Sequence, residues 1–306
     1  MGARRIPRRR LRSRRRRKNG FSFFLVAIAI LVFSLVYYFA GDLILPAPDS
    51  DAILPVEGEV IVTFLDVGQG GSIVIRTEDN AVIIDGGEHR HRAIVLDYLR
   101  EAGITRLCYV VATHPHSDHI GGLITVLRDF EIGYVIMPDI TNNTSTFENF
   151  LEAIENNNIS VRIPSPGDRL SAGMINMAVI SPPIGHFSAI NDNSIVLRLE
   201  HGQTSFMFTG DAESAAENWM VDNARNLAST VLNIGHHGSR TSTTEAFLDA
   251  VNPSIAVIQV GANNQFGHPH PDVISRLEYR GIAIHRTDHS GTIRMITDGQ
   301  TISISY

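Results

Sequence analysis

Cysteine is nearly absent: Cys108 is the only one in 306 residues. A lone thiol has no partner within the chain, so a disulfide-stapled scaffold is excluded. Acids are absent from residues 1–20, which hold ten Arg and one Lys, a charge of +11. All 32 acids and the other 15 basic residues fall in 21–306, a balance of −17, so the overall −6 describes neither part. Long apolar runs are scarce as well. Only one segment is long and apolar enough to cross a bilayer, which argues against a multi-span transporter. Disorder along the whole chain is excluded by a hydrophobic content of 43%.

That one segment, residues 21–40, reads FSFFLVAIAILVFSLVYYFA, without a charge or a proline. At about 1.5 Å per residue it matches the roughly 30 Å hydrocarbon core of a membrane. Tyr37, Tyr38 and Phe39 stand where an interfacial aromatic belt sits. The Arg-rich run precedes the span, whereas Asp42, Asp49, Asp51, Glu57 and Glu59 follow it with no base before Arg76. The positive-inside rule therefore predicts a single-pass signal anchor in the cytoplasmic membrane, with residues 1–20 as a cytoplasmic stub and the rest extracytoplasmic. A cleaved signal peptide fits less well, because its apolar core is about 7–15 residues and Tyr38-Phe39-Ala40 is a poor cleavage site. A nucleic-acid-binding arm is the third reading of the basic run. No cysteine follows the span until Cys108, so a lipid anchor there is excluded. Residues 41–57, with Pro46, Pro48 and Pro55, read as an extended linker to a folded domain over 58–306.

Within that domain short apolar runs alternate with turns and helical patterns. Strands are predicted at 60–67, 72–77, 81–84, 107–112, 134–137, 161–163, 175–180, 194–200, 204–209, 231–234 and 255–260, with closing strands after 282. Helices are predicted at 90–102, 121–130, 146–157 with a cap at Thr146, 212–223, 243–250 and 271–280. Strand meanders with segregated helices point to a layered α+β or α/β sandwich.

Chemistry concentrates at strand ends. Thr113-His114-Pro115-His116-Ser117-Asp118-His119-Ile120-Gly121-Gly122 places three His and one Asp within six residues, directly after a buried-type strand. Imidazole and carboxylate donors suit Zn²⁺, Fe²⁺ and Mn²⁺. On such a loop His114 and His116 can face one cation while Asp118 and His119 face a second. Four more stations fit: Asp85-Gly86-Gly87, Gly210-Asp211, His236-His237-Gly238-Ser239 and His268-Pro269-His270. Singly, a strand-end Asp-Gly is more often a turn. Together these stations argue for converging ligands, and Asp211, with two carboxylate oxygens, can bridge.

This ordered set, together with Phe64-Leu65-Asp66-Val67-Gly68-Gln69-Gly70 and Asn191-Asp192-Asn193-Ser194-Ile195-Val196-Leu197-Arg198-Leu199, resembles the metallo-β-lactamase superfamily, and within it the ComEC-like hydrolase branch. The resemblance implies a four-layer αββα sandwich, preceded here by one transmembrane helix, with two divalent metal ions (Zn²⁺ or Mn²⁺) at one edge. By matching positions it implies His114 and His116 on one metal, Asp118, His119 and His237 on the other, and Asp211 between them. His236 falls to substrate or the surroundings of the ligands, and which of the adjacent pair ligates stays open. Asp85 is expected to orient the His loop, and Asn193 and Ser239 to donate to phosphate oxygens or support the ligands. The sequence departs from other branches in offering Asn193 where a third His serves the first metal, with His186 seven residues earlier. It also has Gly71 where ComEC-like chains usually carry Asp.

The expected activity is hydrolysis of a phosphodiester, most readily DNA, by a hydroxide activated between two metals. Asp118 is a candidate acceptor for the water proton. His268 is a candidate for protonating the leaving oxygen or binding phosphate. The −17 balance disfavours broad contact with a polyanion, although Arg90, Arg92 and Arg240 can supply a local patch. A small phosphocholine-like envelope phosphodiester, a lactamase-type amide and a non-catalytic tethered binding module are the alternatives.

Overall fold

In the computed structural model, residues 54–183, 185 and 187–306 are described. The stub 1–20, the span 21–40, the linker up to residue 53 and His186 lie outside the described residues. Among those described, no helix is long and apolar enough to cross a membrane.

The chain builds two sheets in turn. Val60–Phe64 (β1), Ile73–Arg76 (β2) and Ala81–Ile84 (β3) form an antiparallel meander. Arg106–Val111 (β4), Glu131–Ile136 (β5) and Val161–Arg162 (β6) then add in parallel. The second sheet repeats this plan. Arg169–Ala172 (β7), Ile175–Ser181 (β8), Val196–His201 (β9) and Thr204–Phe208 (β10) are antiparallel. Val231–Asn233 (β11), Ile255–Ile258 (β12) and Ala283–Arg286 (β13) follow in parallel. Ile293–Thr297 (β14) and Ile302–Ser305 (β15) return to the first sheet, where Val60 pairs with Thr297. The orders are β15-β14-β1-β2-β3-β4-β5-β6 and β13-β12-β11-β10-β9-β8-β7.

Alternation along these strands sends residues to two different cores. Val62, Phe64, Ile75, Leu197, Phe206 and Phe208 fill the space between the sheets, with the Phe64 and Phe208 rings 6.3 Å apart. On the outer face of the first sheet, Val74, Ile83, Val110 and Val135 pack with Arg92–Glu101 (α1), Leu123–Asp129 (α2) and Ser145–Asn156 (α3) through Leu99, Val126 and Phe150. On the second, Met207, Leu232 and Ala256 pack with Ser214–Asn223 (α4), Glu245–Val251 (α5) and Pro271–Tyr279 (α6) through Met220, Phe247 and Leu277. Each fully buried large side chain contributes about 1.5–3 kcal/mol. The result is the expected αββα sandwich, with the central parallel strands buried on both faces.

Local differences have local causes. The cap of α3 is Thr144, not Thr146: its hydroxyl accepts from Phe147 N at 3.3 Å, starting the helix one residue early. Helix α2 starts at Leu123 rather than Gly121, with Gly122 as its N-cap: the Gly122 carbonyl accepts from Val126 N at 3.4 Å. The strand β7 has no counterpart in the sequence reading.

Candidate metal centre

The parallel strands β3, β4, β10, β11 and β12 all end at one edge, the place where open α/β sheets hold ligands. Their loops carry the predicted stations, and backbone contacts draw them together. Ile195 N donates to Thr113 O across the sheets at 2.9 Å. Gly86 N donates to His119 O at 2.7 Å, and Gly122 N to Gly87 O at 2.9 Å. Gly86-Gly87 and Gly121-Gly122 thus let the Asp85 loop and the histidine loop touch backbone to backbone.

Asp85 is the anchor of the histidine loop. Buried and left-handed at φ 59°, it accepts from Thr113 N at 2.8 Å and Thr113 Oγ1 at 2.7 Å, and its Oδ2 lies 2.7 Å from His119 Nδ1. The His114 and His237 rings are also held by Nδ1, whereas His116 turns its Nδ1 to His114 Nε2 at 3.0 Å. His114 Nδ1 meets Thr113 and Ser194 hydroxyls at 3.1 and 3.3 Å, and His237 Nδ1 donates to Gln259 O at 2.8 Å. Their Nε2 atoms turn inward.

Asp211 stands between two donor sets. Its Oδ2 faces His114 Nε2 at 3.6 Å, and its Oδ1 faces His119 Nε2 at 3.2 Å and His237 Nε2 at 3.6 Å. The ligand atoms of His114, His116 and Asp211 lie within 4.8 Å of one another, as do those of Asp118, His119 and His237. His119 Nε2, His237 Nε2 and Asp211 Oδ1 are buried and make no hydrogen bond. Orphaned buried polar atoms are costly, and three that converge fit a cation between them. The imidazole and carboxylate chemistry of the donors fits a divalent transition metal.

The charges of the cluster divide: burial lowers His119 and His237, but Asp211 outweighs it and raises both imidazoles, so each would give up a proton to a cation. Burial, then the neighbouring His119, hold His114 well below the ordinary imidazole range, and burial lowers His116 as well, so both are neutral donors. Burial opposes ionisation of Asp211, but His119, His237 and His114 outweigh it and hold its carboxyl well below the usual range. The same contest holds Asp118 low, with His119 and a hydrogen bond from His237 prevailing over burial. His236 and His237 follow each other in left-handed conformation, at φ 48° and 53°. Such backbone costs about 1–3 kcal/mol per residue and persists mainly at functional sites.

The remaining sequence candidates separate. His236 lies outside both donor sets, with Nε2 at 3.9 Å from Asp211 Oδ2 and Nδ1 at 2.8 Å from Glu213 Oε1. His268 sits edge-on to His236, ring centroids 5.5 Å apart. His270 instead caps α6, its Nδ1 accepting from Asp272 N at 3.2 Å. Asn193 is committed to its own loop: its amide donates to Phe187 O and Ala189 O at 2.8 and 2.7 Å, so neither donor is free for a phosphate. Ser239 is buried with its hydroxyl 2.8 Å from that of Thr241. At Gly71 a Cβ would lie 3.2 Å from the His119 ring, so a side chain there would press on that ring. Arg90 is paired with Glu88 at 2.6 Å. Glu213 and Gln259 were not singled out from sequence. Glu213 had one signal, its place two residues after Asp211.

An αββα sandwich whose strand-end loops bring together two His/carboxylate sets around one shared Asp defines a metal-dependent hydrolase. The chain belongs to the metallo-beta-lactamase superfamily, which matches residues 65–261. It is 30% identical over 259 residues to ComE operon protein 3 of Bacillus subtilis (strain 168), covering 79% of this chain and 33% of that protein. It is 31% identical over 240 residues to Recombination protein 2 of Haemophilus influenzae, covering 76% of this chain and 28% of that protein. The chain thus spans about a third of the length of these relatives. Among solved structures, the metallo-beta-lactamase fold protein YhfI from Bacillus subtilis superposes with a TM-score of 0.51 at 11% identity, over 81% of this chain and 100% of that one.

Proposed function

We propose that the chain is a phosphodiesterase acting on DNA, held at the membrane by residues 21–40 with its folded domain on the extracytoplasmic side. The observation that carries the hydrolytic part is Asp211, whose two oxygens each face a different donor set. DNA is favoured by similarity to a protein whose name refers to recombination. Membrane attachment rests on the apolar span and the charge asymmetry about it.

His114, His116 and Asp211 would hold one divalent cation, and Asp118, His119, His237 and Asp211 the other. Two such cations supply a lowered pKa for water and stabilise charge on a phosphoryl oxygen. The chain's own groups do the rest. Asp118 stays ionised, and a carboxyl held so far below the usual range is suited to holding a cation rather than to accepting a proton from water. Burial, then His236 and His237, push the His268 imidazole down to about 4. Neutral at physiological pH, it serves as a hydrogen-bonding group for phosphate rather than as a store of the leaving group's proton. His236, with Nδ1 beside Glu213, presents Nε2 to the same region.

The test is one assay of the full chain on plasmid, single-stranded DNA, glycerophosphocholine and a β-lactam, with Zn²⁺, with Mn²⁺ or with chelator. Metal-dependent cleavage of DNA is expected. The acidic balance of −17 supports a second reading, a small envelope phosphodiester. Turnover of glycerophosphocholine without DNA cleavage would replace the first reading with that one.

A further inference from the structure

An acidic domain that cuts DNA needs a source of affinity other than charge. The loop after β12 offers one. Asn264 organises it: its Oδ1 accepts from Phe266 N at 3.1 Å and His268 N at 3.0 Å, and its amide donates to Gly261 O at 3.0 Å and His268 O at 2.6 Å. Four hydrogen bonds from one side chain hold the segment that displays Phe266. The Phe266 ring is 58% exposed, yet it is not loose. It stacks on His268, with centroids 5.8 Å apart and planes at 25°. His268 meets His236 edge-on at 5.5 Å, and His236 meets His237 at 6.1 Å. A continuous row of rings therefore runs from the second donor set to solvent and ends in an open phenyl face.

A single exposed apolar residue is ordinary. An exposed phenyl braced from behind by a ring, on a loop pinned by an internal clamp, at the rim of a metal centre, has the form of a stacking platform. We propose that Phe266 stacks on a nucleobase of a single-stranded nucleic acid whose reacting phosphate lies at the His/Asp clusters. The proposal rests on the phosphodiesterase reading and names its substrate class more closely. Bases within a duplex are already stacked on one another, whereas those of a single strand are free to lie on an aromatic face. Such stacking tolerates any base and does not depend on positive charge, so it suits a domain whose charge repels the backbone. A quaternary ammonium head group would instead call for a cage of several aromatic faces. Phe266 stands alone among the large exposed aromatics described on this loop.

The test uses the full chain with Mn²⁺ and compares cleavage of an oligothymidylate with that of an abasic oligonucleotide of the same length, which keeps the phosphates and lacks the bases. Phe266→Ala is expected to lower kcat/KM on oligothymidylate about tenfold, chiefly through KM. It should lower cleavage of the abasic strand by clearly less, and Phe266→Trp should recover activity on oligothymidylate. Equal effects of Phe266→Ala on both strands, or no effect on either, would remove the platform and leave the phosphodiesterase reading standing. Hydrolysis of glycerophosphocholine with neither strand cut by the unaltered chain would overturn the DNA reading and the platform with it.

Discussion

Glu213 Oε1 lies 2.8 Å from the Nδ1 of His236, while the Nε2 of the same ring lies 3.9 Å from Asp211 Oδ2. A carboxylate this close to an imidazole constrains how the ring is aimed. His236→Ala is expected to lower phosphodiester turnover at least about tenfold with metal content still at two equivalents per chain. Glu213→Gln should move turnover the same way by less, because it removes the charge beside Nδ1 and keeps the side chain's volume. Steady-state kinetics beside elemental analysis decide it, and unchanged turnover in His236→Ala would count against a role for this ring.

Asp211 and His116 separate the two donor sets. Asp211→Ala removes an oxygen from both, so both equivalents of metal should be lost or much weakened, along with turnover. His116→Ala touches only the first set and should lose one equivalent while still abolishing turnover. Circular dichroism should show both variants folded, since the three cores contain neither residue. Full activity that also resists chelator, in either variant, would sink the metal-dependent reading.

Asp85 bears on stability as well as on the site. Three groups hydrogen-bond to its buried carboxylate. Asp85→Ala leaves them unpaired and should cost about 3 kcal/mol, within the range for breaking buried polar networks. Asp85→Asn keeps an acceptor and tolerates the φ of 59°. It should fold and bind metal about 10–100-fold more weakly. Urea unfolding and metal-competition titration measure the two effects, and wild-type metal affinity in Asp85→Asn would contradict the anchoring role.

His268 gives a pH dependence of known sign. Its pKa is lowered to about 4 in the fold, by burial first and then by His236 and His237, against about 6.5 in an unfolded chain. Between those values the unfolded chain binds more protons. Stability is therefore full above pH about 6.5 and falls as pH drops towards about 4. The non-titrating variant His268→Asn should show a flatter stability curve across that window. An NMR titration placing the His268 midpoint near 6.5 would refute the assignment, and bound cations would only push it lower.

The layered architecture was legible because burial leaves a local mark. A strand covered on both faces reads as a continuous apolar run, as in Val60–Phe64 and Ala81–Ile84. The donor cluster from His114 to His119 was legible because three imidazoles and a carboxylate in six residues have no ordinary structural use. The strand β7 was missed, since in Arg169–Ala172 only Leu170 and Ala172 face inward. Asn193 was expected near phosphate, and its two bonds to the Phe187–Ala189 loop have no sequence signature.

The sequence by itself determined the charge split, the apolar span, the strand-end chemistry and the superfamily, because each is written in neighbouring residues. Tertiary structure decided how residues far apart meet. It placed Asp211 between two donor sets, set Glu213 behind His236, gave His237 rather than His236 to the second set, and braced Phe266 on His268 at the rim. These relations depend on which strands adjoin and where their ends fall, and no local periodicity carries that information.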